Sequence, residues 1–179
     1  AFGADRIVNL GGAGATVQWA AGGFVPNSSV LVFGYGNGTD SQDSTHTVDF
    51  QNPIDLNGGT RSIRVNDGNN GGALGPARID VTLSGGLINS TGTGSFTKDG
   101  AGVLNLSVAN TYTGQTRLND GVLLLSHANA LPGGTGLTGG TSNLRISGNA
   151  GIIGLTSASG NFTRDLGTGV EQVQWTSGG

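Results

Sequence analysis

The chain has no cysteine and no methionine, a single lysine (Lys98) and a single glutamate (Glu171). The missing cysteine removes disulfide staples and thiolate metal sites. The near absence of Lys and Glu takes away the best polar helix formers, so exposed helix faces would be hard to build. A net charge of −3 offers no basic surface of the kind nucleic acid demands. No apolar run approaches the ~20 residues of a membrane-spanning helix. The first ten residues, AFGADRIVNL, lack the charged start and apolar middle of a secretory leader. The expectation is that a leader has been removed or that the chain is a piece of something larger.

What remains is glycine and strand formers. Glycine takes 36 of 179 positions, roughly three times ordinary usage, with no collagen-like register of one in three. Val, Ile, Leu and Thr stand in short groups among Gly, Asn, Asp and Ser, and such regular apolar groups argue against disorder. The strands expected are 6–10, 16–19, 30–34, 47–50, 60–65, 79–83, 103–107, 115–119, 122–125, 143–146, 151–155, 161–165 and 172–175. In the best of these, alternation points either Leu123 and Leu125 or Val122 and Leu124 inward. LNGG (56–59), VNDG (65–68) and LNDG (118–121) are turn signals, because Asn, Asp and Gly tolerate positive φ. Asn57, Asn66 and Asn119 are the residues expected at corners, bonding along a stack.

Strands at this spacing fit a sandwich, a barrel or a solenoid, and an internal repeat favours the last. NLGGAGATVQWAAGG (9–23) aligns without a gap on DLGTGVEQVQWTSGG (165–179), so both tryptophans occupy one motif, 156 residues apart. If another copy of the 179-residue chain followed directly, Trp175 and the next Trp19 would be 23 residues apart, one coil of a three-sided β-helix. Leu10, Val17 and Trp19 on one side, with Leu166, Val173, Trp175, Gly178 and Gly179 on the other, are therefore the expected inter-unit stacking residues, Trp above Trp. On this reading residues 1–179 form one solenoid unit, either a repeat of a covalent tandem array or a subunit of a non-covalent head-to-tail filament.

FTKDGAGVLNLS (96–107), ANTYTGQT (109–116) and LNDGVLLL (118–125) together resemble the passenger-associated, or autotransporter-associated β-strand, repeat of bacterial surface proteins. The resemblance implies a right-handed parallel β-helix, export to the cell exterior or cell surface, and a role as stalk or fibre. The fold expected is thus all-β, a parallel β-solenoid of about eight coils of roughly 23 residues, open at both ends.

Several groups could carry chemistry instead. Asp80, Asp99, Asp120 and Asp165 are candidate paired carboxylates of a polysaccharide-degrading enzyme, although Asp also serves turns such as NDG and KDG. Asn37, Asp40 and Asp43 in GYGNGTDSQDSTHTVD (34–49) offer hard oxygen ligands for calcium, without the spacing of an EF-hand or a calcium-binding nonapeptide. His46 and His127 lie in polar loops without a zinc pattern. GGAGAT (11–16) has no following lysine and reads as a turn. Asn27, Asn37, Asn89 and Asn161 begin glycosylation triplets that such a composition produces by chance. The function expected is structural rather than enzymatic, with no cofactor, no nucleic-acid partner and no membrane insertion. The rival reading is an adhesin that grips surface glycans.

Overall fold

The computed structural model describes residues 4–12, 14–34, 46–67 and 79–176. Asn37, Asp40 and Asp43, and likewise Gly178 and Gly179, lie outside the described residues.

The described residues form strands and a single 3-10 turn, Ser157–Ser159. The first circuit holds β1 (Arg6–Val8), β2 (Val17–Gln18) and β3 (Leu31–Phe33). The second holds β4 (Val48–Phe50), β5 (Ile54–Asp55) and β6 (Gly58–Val65), and the third β7 (Val81–Leu83), β8 (Leu87–Ile88) and β9 (Gly92–Asp99). Then come β10 (Val103–Leu106), β11 (Thr116–Leu125), β12 (Leu144–Leu155) and β13 (Val173–Trp175).

Every strand pair is parallel, and the chain returns to each face after a full circuit. One face runs Arg6, Val48, Val81, Leu104, Leu123, Ile153 from strand to strand. A second runs Leu31, Ile63, Lys98, Leu118, Ile146, Trp175. The third is the short sheet β2, β5, β8. β11 and β12 each pass from the second face to the first without a loop, their pairing shifting register between Leu118 and Asp120. Gly121, at φ 67°, takes the bend. The LNDG turn signal therefore marks a corner inside one strand.

The regular expectation needs correction. Side chains bonded between successive layers are separated by 42 residues (Leu10 and Asn52), 32 (Thr47 and Ile79), 23 (Asn105 and Thr82), 20 (Asn119 and Asp99) and 28 (Ser147 and Asn119). Each long face is six strands deep among the described residues, not eight, and 23 residues is one circuit length among several. The physical reason is that a ladder constrains only the paired residues, while corners accept extra chain without disturbing it.

The core is a column of like on like. Leu123 and Leu125 point inward, fully buried, above Leu104 and Leu106 and below Ile153 and Leu155. One member breaks the pattern: Lys98 stands between Ile63 and Leu118 and is 0% exposed. Its Nζ donates to the carbonyls of Asp99 (3.0 Å), Gly100 (2.5 Å) and Asp120 (3.0 Å), which the bends on neighbouring layers turn inward. Two further buried cations serve the same purpose. Arg61 donates to the carbonyls of Leu56 and Asn27 and lies 5.7 Å over the Trp19 ring, and Arg164 donates to those of Gly134, Ser142 and Pro132.

Candidate functional site

The two ends of the stack differ. At the first circuit, Gly22 and Gly23 at positive φ turn the chain so that Phe24 meets Trp19 edge-on at 6.0 Å, and Phe24 and Phe33 reach Phe50. Trp19 is fully buried and donates from Nε1 to the Pro26 carbonyl. At the last circuit, Trp175 continues the inward column of Leu118 and Ile146, yet it is 54% exposed because nothing described lies above it. Leu155, above Leu125, is 45% exposed for the same reason. Leu166 and Val170 add exposed apolar surface to that end. The outer edges of β1 and β3, and of β12 and β13, have no paired strand among the described residues.

Of the expected stacking residues, the structure groups Leu166, Val173 and Trp175 at the last circuit, where Leu166 bridges Val173. Leu10, Val17 and Trp19 lie at the first, with Leu10 tied through its backbone to Asn52. The two VQW triplets do not occupy equivalent places. Val17 and Gln18 belong to the short sheet, whereas Val173 to Trp175 belong to a long face. One indole, Trp19, is core and closed off by its own loop, and the other, Trp175, lies open.

Corner asparagines bond along the stack, though to mixed partners rather than to one another. Asn57, at φ 48°, donates to the Trp19 carbonyl and accepts from Thr91. Asn66 donates to the Gly34 carbonyl. Asn119 donates to Asp99 and accepts from Ser147. Three stronger braces escaped the sequence reading: Asn52, Asn110 and Asn143, all buried. Asn110 accepts from the Leu87 amide and donates to the Ala130 carbonyl, so one amide clips three circuits together. The only signal was position, each Asn standing shortly before an apolar pair or strand.

The candidate acids are occupied locally. Asp80 accepts from the Val103 amide, Asp99 from Asn119, and Asp120 from the Gly121 amide, while Asp165 lies exposed. Asp55 has the densest set, taking the Asn57 and Ser90 amides, Gln18 and the Ser90 hydroxyl. Burial raises its carboxyl, but these donors outweigh burial and hold it below the usual range. His46 lies 3.5 Å from Asp5, and His127 accepts from the Asn129 amide. Among the described residues no group of three or more metal-ligating side chains comes together.

From β9 onward the outward positions of the second long face are polar. Thr97, Arg117, Arg145 and Gln174 occupy one column across β9, β11, β12 and β13. Arg117 and Arg145 are direct ladder partners.

With this geometry established, residues 96–125 match the family model of the passenger-associated-transport-repeat. The match covers the end of β9, β10 and β11, so the resemblance read from FTKDGAGVLNLS onward holds over that segment. Such a repeat implies a secreted or cell-surface protein. No curated protein and no solved structure matches the chain.

Proposed function

We propose that the chain is a structural unit of an extracellular stalk or fibre, extended by stacking one parallel coil on the next. The handedness proposed is right-handed, as parallel crossovers are. The observation that carries this reading is the open last circuit, where Trp175 and Leu155 stand at the head of otherwise buried columns. Covering the exposed half of an indole removes about 100 Å² from water, worth about 2–3 kcal/mol. The unpaired edges of β12 and β13 add backbone groups that a following coil can satisfy, and such edges invite pairing. In the proposed junction β1 of the next copy seats on the second half of β12 and β3 on β13. That contact joins unlike ends and so propagates as a filament. The passenger-type repeat supports a surface setting.

Trp19→Phe leaves Trp175 as the sole tryptophan and makes the test direct. Its emission is expected to shift to the blue as concentration rises, with elongated particles in electron micrographs. Adding Trp175→Asp and Leu155→Asp is expected to abolish elongation. Compact monomers with unchanged emission at the highest attainable concentration would count against the junction.

A further inference from the structure

The pair Arg117 and Arg145 is unusual for a chain with so few cations. Like charges directly opposite on neighbouring strands repel, and neither side chain has a carboxylate partner among the described residues. Asp99, two residues beyond Thr97, the ladder partner of Arg117, is held by Asn119, which is held in turn by Ser147. Both guanidiniums are nevertheless pinned. Arg117 donates from Nε to Gln115 Oε1 at 2.7 Å, and Gln115 donates to Asn143 Oδ1 at 3.0 Å. Asn143 is itself anchored by donation to the carbonyls of Gly167, Gly169 and Gln172. Arg145 donates from Nε to the Thr176 hydroxyl, which bonds the Ile146 carbonyl. Each arginine is thus fixed through Nε, while both Nη groups remain without a partner among the described residues.

We infer that Arg117 and Arg145 form a binding site for an acidic polysaccharide lying along the stack axis. A guanidinium with its two Nη free presents parallel donors to a carboxylate or sulfate. Pinning at Nε lowers the ordering cost that flexible surface cations usually carry. Adjacent strands are about 4.8 Å apart, close to the advance of one pyranose unit in an extended chain, so successive acidic sugars meet successive arginines. Gln174, next to Arg145 in the same column and half-buried, offers an amide partner to a neutral sugar position, whereas Thr97 beside Arg117 is buried. An anion between the two cations also relieves their repulsion, which gives binding a driving force beyond the contacts themselves.

The experiment is titration of the purified chain with polygalacturonate, heparin, neutral dextran and single-stranded DNA at about 150 mM salt, where surface charges are screened beyond about 8 Å. Arg117→Gln and Arg145→Gln are compared singly and together. Arg6→Gln serves as a charge-matched control at the first circuit. Far-ultraviolet circular dichroism and melting temperature verify that each variant is folded. Polygalacturonate or heparin is expected to bind, dextran not. Each single variant is expected to weaken binding about tenfold, the double variant to abolish it, and Arg6→Gln to leave it unchanged. Preference between the carboxylated and the sulfated polymer identifies the anion. Absence of binding by the unaltered chain, equal weakening by Arg6→Gln, or tighter binding of DNA through the same arginines would each overturn the inference.

Discussion

A lysine in the middle of an apolar column needs a reason, and Lys98 has one in the three carbonyls it caps. Burial holds its ammonium down at about 8 from 10.5, against the attraction of Asp120, Asp99 and Asp80. Below pH 8 the group is charged both folded and unfolded, and burying that charge costs stability. Between about pH 8 and 10.5 the folded chain releases the proton while the unfolded chain keeps it, so this group adds stability as pH rises. Lys98→Met leaves the carbonyls unpaired, which outweighs the relief of the buried charge. We expect a loss of about 2–4 kcal/mol in urea denaturation at pH 7. The gap should widen in favour of the unaltered chain between pH 8 and 10; a gap that stays constant would refute the assignment. Gly114 is constrained differently. A methyl group there would meet the Gly94 carbonyl and Ser95 hydroxyl of the preceding circuit. Gly114→Ala is expected to cost about 1–3 kcal/mol, read as a lower melting temperature.

Circuits, rather than single strands, are the elements of this fold, because each pairs only with its neighbours. Deleting residues 104–122 removes one whole circuit and leaves Val103 followed by Leu123, each still pointing as before. We expect that shortened chain to fold, with the same circular-dichroism shape and a modestly lower melting temperature. A ten-residue deletion starting at the same place should not fold, since it removes half a circuit and the chain no longer returns to the face it left. Most strands were legible from apolar groups and turn residues, while alternation left two inward sets open in β11, of which burial selects Leu123 and Leu125. β5 and β8 were not, because two residues show no period. β9, GTGSFTKD, hid because its inward positions include Lys98, a residue no hydrophobic pattern would select. Residues 161–165 have strand-like composition but no ladder beside them, and Arg164 there braces a corner instead. The VQW triplet recurs in sequence but joins a different face at each end, since neighbours outside the motif decide which face a triplet joins. The arginine pair of the polar face was invisible without pairing, for Arg117 and Arg145 meet only through the register of β11 and β12.

For the molecule as a whole, the contrast between the ends predicts where it loosens. The first circuit is filled by Trp19, Phe24 and Phe33 beneath Phe50, whereas the last leaves Trp175 and Leu155 uncovered. In a linear stack local opening begins at the least covered neighbour. Amide hydrogen exchange should therefore be fastest in 150–176 and slowest in 103–125; uniform protection would contradict this. The unequal circuits have a mechanical consequence as well. Backbone hydrogen bonds lie along the long axis, so tension applied to the two ends loads the layers in series and peels them one at a time. A peeled layer pays out its own contour length, about 70 Å for a 20-residue circuit and about 140 Å for a 42-residue one. A single tethered molecule would then yield a sawtooth of uneven teeth, its spacing a mechanical signature of the order in which the loops are laid down.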